Sequence, residues 1–227
     1  MRIRNLLLTF SCLHLLLAVD GRAQRTDDHL IPFKPSVYDE LRPFLYKKLC
    51  ITPANYGRMI ELPAGPEHAE WAVSVYCNNS SGSAEVCGVT LTRAASNLDS
   101  IMQERRGRNP LQTVGRVRVL RKDARIQKAT AVAVRAAWLR FLNNSKPSPS
   151  RPNDPVWFDT TKIEFWLEIA NGERMKAEIP DAPGNAVMNL VKIGRLLAKY
   201  CEGTPLERAG LLNEIRARAT DLFGSSR

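Results

Sequence analysis

WAVSVYCNNSSGSAEVCGVTLT, residues 71–92, is the stretch on which the fold turns. Trp71, Val73, Val75 and Cys77 alternate with Ala72, Ser74 and Tyr76, and Cys87, Val89 and Leu91 alternate with Gly88, Thr90 and Thr92. Period-two alternation of this kind marks strands buried on one face. Pairing Cys77 with Cys87 sets Val75 opposite Val89 and Val73 opposite Leu91, so one antiparallel register satisfies both a disulfide and an apolar face. The intervening Asn78, Asn79, Ser80, Ser81, Gly82 and Ser83 supply turn chemistry, and the Asn-x-Ser sequons within them matter only in a eukaryotic host.

A second hairpin reads the same way. Ile163, Phe165, Leu167 and Ile169 share a face that Met175, Ala177 and Ile179 must also occupy. A loop of Asn171, Gly172 and Glu173 meets that demand by pairing Ile169 with Met175, Leu167 with Ala177 and Phe165 with Ile179, and it sets Glu168 opposite Lys176. Trp166 then falls on the polar face beside Glu164 and Glu168. There it is an exposed partner anchor, unless a further helix or loop covers that face.

Around these hairpins the pattern predicts other elements. Ser36 can cap a helix presenting Val37, Leu41, Leu45 and Leu49, which Pro43 makes short or kinked. Residues 57–62 read as a strand that Pro63 stops, residues 114–120 as another strand, and residues 126–142 as a helix with Ala131, Val134, Trp138, Phe141 and Leu142 on one face. Near the end, Val187, Leu190, Val191, Gly194, Leu197 and Cys201 share a helical face. Thr204, Pro205 and Glu207 then form a capping box with proline at the first helical position, and Leu211, Leu212, Ile215, Ala219 and Leu222 follow. The predicted fold is α+β: an antiparallel sheet built from hairpins and packed by three or four helices. A single domain is expected over residues 36–227, with a flexible leader at 24–35 and an exposed loop at 143–156 rich in Asn, Ser and Pro.

The first 23 residues read as a secretory signal. Arg2 and Arg4 precede a short apolar run at residues 6–19, and Gly21 and Ala23 sit at the positions a signal peptidase requires. The run is too short for a spanning helix, so no transmembrane segment is expected after cleavage. Cleavage removes Cys12 and leaves Cys50, Cys77, Cys87 and Cys201, an even set entering a compartment where disulfides persist. With Cys77 and Cys87 paired by register, Cys50 and Cys201 are paired by elimination. The expected location is periplasmic or secreted.

The net charge of +10 falls to +8 when Arg2, Arg4, Arg22 and Asp20 leave with the signal. Residues 93–140 carry twelve basic side chains against Asp99, Glu104 and Asp123, so one region holds the basicity. If it binds an anionic polymer, Arg105, Arg106, Arg108, Arg116 and Arg118 are the residues to do so. The charges straddle a loop, a strand and a helix without aromatic interleaving, which argues against nucleic acid and favours a solvated surface.

The motifs Gly57-Arg58-Met59-Ile60-Glu61-Leu62-Pro63 and Ala72-Val73-Ser74-Val75-Tyr76, together with the late Tyr200-Cys201, resemble exported bacterial α+β proteins of unknown function. That resemblance spans most of the exported chain. It implies export and an α+β layout, and it implies no activity.

Few residues invite a chemical role. His68 and Glu70 precede a strand, where a base and an orienting carboxylate can project from a loop. Asp159 and Thr160 could hold a hydroxylated ligand or a cation, although turn chemistry explains them equally. With only His29 and His68 left after cleavage, no three-histidine metal site is available, and neither metal nor cofactor is expected. A Gly-x-Ser-x-Gly elbow and a Ser-x-x-Lys motif are both missing. The expected function is therefore a non-catalytic exported binding protein of the inhibitor, immunity or assembly-accessory type, whose partner is another exported or envelope protein. An envelope-directed hydrolase and a binder of anionic polymer are the alternatives.

Overall fold

The computed structural model describes residues 28–32, 42–63, 67–78, 85–97, 115–147, 161–169, 173–180 and 183–224. The signal segment, Val37 and Leu41 of the first helix, Arg105, Arg106, Arg108, most of the 143–156 loop, and Asp159 and Thr160 lie outside them. The elements in chain order are β1 (Ile31–Pro32), α1 (Arg42–Leu49), β2 (Gly57–Leu62), β3 (Trp71–Asn78), β4 (Val86–Ala94), β5 (Val119–Ile126), α2 (Lys128–Asn143), β6 (Lys162–Glu168), β7 (Arg174–Glu178), α3 (Asn185–Glu202) and α4 (Pro205–Gly224). The fold is α+β, as the alternation predicts. One seven-stranded antiparallel sheet runs in the order β1-β7-β6-β2-β3-β4-β5.

The central strands β2, β3, β4 and β6 divide their side chains between two unequal layers. Met59, Val73, Val75, Val89, Leu91, Phe165 and Leu167 meet Val134 and Trp138 of α2, Leu190 and Leu197 of α3 and Ile215 of α4 in the main core. On the other face Ile60, Ala72 and Trp166 meet Leu45 and Leu49 of the short α1. Two glycines let the layers close. Gly57 has φ +126°, and a Cβ there would lie 2.0 Å from Trp138 Cε3, while one on Gly194 would lie 2.3 Å from Met59 Sδ. Pro43 sits in the first turn of α1, where its missing N–H costs no helical hydrogen bond.

The β3–β4 hairpin has the predicted register, with Cys77 opposite Cys87, Val75 opposite Val89 and Val73 opposite Leu91. Cys77 and Cys87 are joined by a disulfide. Replacing both with serine is expected to lower stability by about 3 kcal/mol in urea unfolding, the loop-closure entropy of so short a ring, with the fold retained. An unchanged midpoint would count against this.

Several expectations need correction. Cys50 and Cys201 are free and unpaired. Cys50 belongs to the α1 layer and Cys201 to the core under α3, so the sheet stands between them. The leader is structured where it is described. Leu30 is fully buried in the main core, β1 pairs with β7, Lys146 N donates to Leu30 O (2.9 Å), and Ala186 N at the start of α3 donates to Asp28 Oδ1 (2.9 Å). An apolar anchor and an open sheet edge hold it. The β6–β7 hairpin keeps the predicted faces but is shifted by two residues. Phe165 faces Ala177, Leu167 faces Met175, Glu168 faces Arg174, and Ile169 N donates to Glu173 O (2.9 Å).

Trp166 is also buried, contrary to its alternation, because α1 covers that face. The edge of Tyr46 packs on the indole with ring centroids 4.8 Å apart, Lys176 Nζ stands 4.2 Å from the ring centroid, and Nε1 donates to Glu164 (3.0 Å). It offers no exposed anchor. Finally, the strand expected at 114–120 lies at Val119–Ile126 and the following helix starts at Lys128. As an edge strand β5 has only β4 beside it, so Arg121, Lys122 and Arg125 remain solvated while Ala124 and Ile126 reach the core.

Candidate functional site

At one end of the sheet, β2 finishes with Glu61 and Leu62, the chain passes through residues 67–69 and β3 begins at Trp71. β4 brings Arg93 to the same end, opposite the beginning of the β3 register. Helix α3 crosses behind with Arg195, Lys199 and Glu202, spaced so that they lie along one solvated ridge. Between ridge and loop lies a cleft of about 720 Å³.

Four of its charges are held in two pairs. Arg195 donates from Nε to Glu61 Oε2 (3.0 Å) and from Nη2 to Glu61 Oε1 (2.9 Å), a two-pronged arrangement that orients both groups. Arg93 Nη1 lies 3.1 Å from Glu202 Oε1. Lys199, Glu67 and His68 complete the lining beside the nearly buried Trp71. Asn97 Nδ2 donates to the His68 carbonyl oxygen (2.7 Å), and Ala94 N donates to the Glu70 carbonyl oxygen (2.9 Å). These bonds fix the loop against β4 and leave the imidazole exposed.

The predicted pair of His68 and Glu70 is therefore divided: His68 lines the cleft, whereas the Glu70 side chain is buried away from it. Thr161, next to Asp159 and Thr160, does line the cleft. Arg116 and Arg118 are exposed just before β5, where Ala95 N donates to Arg118 O (2.9 Å), near the Arg93 end of the sheet but outside the cleft lining. Trp166 lies on the opposite face of the sheet.

Sequence reading missed Glu61, Arg93, Arg195, Lys199 and Glu202. The four-residue spacing of Arg195 and Lys199 on the polar face of α3 was visible. Their meeting with Glu61, 134 residues away, was not. The Cys77, Glu85 and Cys87 ligand atoms lie within 4.8 Å of one another, but the disulfide uses both sulfurs and leaves no thiolate for a metal. Among the described residues no helix is long and apolar enough to cross a membrane. No family model, curated protein or solved structure matches the chain.

Proposed function

We propose that this is an exported, non-catalytic binding protein that engages another exported or cell-envelope protein through the cleft between the His68 loop and α3. The Glu61–Arg195 pair carries the reading. Pre-oriented charges of both signs in a concave surface discriminate among polar protein segments, because a wrong partner sets like charges together. Export is supported by the signal-like first 23 residues and by the Cys77–Cys87 disulfide. The alternative of an envelope-directed hydrolase is disfavoured by the same pairing: Glu61 or Glu202 would have to leave its arginine before serving as a base.

Affinity recovery of partners from an envelope fraction tests this, with His68→Ala/Lys199→Glu as the cleft variant and Leu206→Ala, on the exposed side of α4, as the control. A discrete partner should be recovered by the wild type and the control. The cleft variant should bind it at least about tenfold more weakly, the loss of one or two good polar contacts. Equal recovery by the cleft variant would reject the site. Turnover of envelope polymers that disappears with His68→Ala would establish the hydrolase instead, and salt-sensitive retention of every polyanion would establish the polymer binder.

A further inference from the structure

Beneath the beginning of β2, on the α1 side of the sheet, Arg58 is only 3 % exposed. Its Nε donates to Ser74 Oγ (2.8 Å) and its Nη2 to the Thr52 carbonyl oxygen. The Cys50 thiol is its other close partner, and burial pushes that thiol above the ordinary range, more than the guanidinium pulls it down, so the thiol is neutral. The atoms that accept hydrogen bonds from this cation are thus uncharged, and among the described residues neither Glu168, which lines the cavity, nor Glu164, buried on the same face of the sheet, forms an ion pair with it. Burial pulls the guanidinium below its ordinary range, and the neighbouring Arg174 acts in the same direction. A guanidinium buried without a counter-ion is strongly disfavoured unless an anion reaches it.

A small cavity of about 40 Å³ opens at this point, lined by Cys50, Thr52, Arg58, Trp166, Glu168 and Arg174. Thr52 is 6 % exposed, and its hydroxyl is buried with no hydrogen-bond partner. Water needs roughly 10–15 Å³ on this measure, so the cavity holds a few waters or one compact ion. Water would satisfy the hydroxyl, but it would not neutralise Arg58.

We infer that this cavity is a binding site for a compact monovalent anion, a halide or a carboxylate as small as formate but not one with a longer tail, held by Arg58 and the Thr52 hydroxyl with Arg174 at its rim. The ion supplies the charge that Arg58 lacks and the hydrogen-bond acceptor that Thr52 lacks. It also sits beside the Cys50 sulfur, where it blocks access to the thiol.

The test uses the exported protein in gluconate salts, to which chloride or formate is added at matched ionic strength. Two quantities are followed: the thermal midpoint, and the rate at which Cys50 reacts with iodoacetamide. Both added anions should raise the midpoint and slow alkylation saturably, and gluconate should do neither. The anion that saturates at the lower concentration identifies the source, a free halide or a carboxylate. Thr52→Val, which keeps the shape, should raise the half-saturating concentration roughly fivefold, as expected for one lost hydrogen bond, and Arg58→Met should flatten the response. If Arg58→Met does not fold, Thr52→Val and the alkylation rate decide. Equal responses to chloride, formate and gluconate, or a saturable response unchanged by Thr52→Val, would overturn the site.

Discussion

Replacing Gly57 with alanine is expected to remove roughly 3–5 kcal/mol of stability, through two independent costs. The backbone at Gly57 has φ +126°, a region that side chains with a Cβ rarely enter. The new methyl would also lie 2.0 Å from Trp138 Cε3 and 2.6 Å from Cζ3. Trp138 cannot retreat, being fully buried against Phe165 with ring centroids 6.1 Å apart. The thermal midpoint should fall on the order of 10 °C in a chain of this size. A Gly57→Ala/Trp138→Leu double variant isolates the steric part: it should be less damaged than the sum of its single changes, while the backbone part persists. A Gly57→Ala protein as stable as the wild type would contradict both terms.

How far the fold was legible depended on whether a local pattern and a covalent constraint agreed. At residues 71–92 they did, and Cys77 opposite Cys87 leaves only one register that keeps Val73 and Val75 inside. In the β6–β7 hairpin only alternation was available. Alternation sets parity, so the faces of Phe165 and Leu167 were readable and a slip of two residues was not. The observed register has a reason in side-chain contacts, because it places Lys176 over the Trp166 ring and Arg174 opposite Glu168.

β5 was misplaced because its charged run looks helical or loop-like, and only its position at the sheet edge makes Arg121, Lys122 and Arg125 tolerable in a strand. Asp123 anchors that edge by accepting from Arg121 Nε (2.9 Å) and from Thr90 of β4. The cleft was the least legible part. Glu61 looks like one more polar position in a strand and Arg195 like one more solvated helix residue, and neither carries information about the other until the sheet brings them together.

The second large effect is expected at Glu164, which alternation assigns to solvent and the structure buries completely. Its carboxylate accepts from the Tyr46 hydroxyl (2.6 Å) and from Trp166 Nε1 (3.0 Å), tying α1 to the sheet. Losing the carboxyl removes both of these hydrogen bonds from a buried layer beside Ile60 and Ala72. Glu164→Leu should therefore cost about 3 kcal/mol in urea unfolding, from two buried hydrogen bonds lost at roughly 1–2 kcal/mol each. Tyr46→Phe alone should cost about half as much, because it removes one of the two hydrogen bonds and keeps the one from Trp166. Both single changes remove the same Tyr46–Glu164 hydrogen bond, so in the Tyr46→Phe/Glu164→Leu double variant the combined loss should fall short of the sum by about 1–2 kcal/mol. Strict additivity of the two changes, or a Glu164→Leu loss below about 1 kcal/mol, would mean that α1 is held by Leu45 and Leu49 alone and that the buried carboxylate does not fasten it.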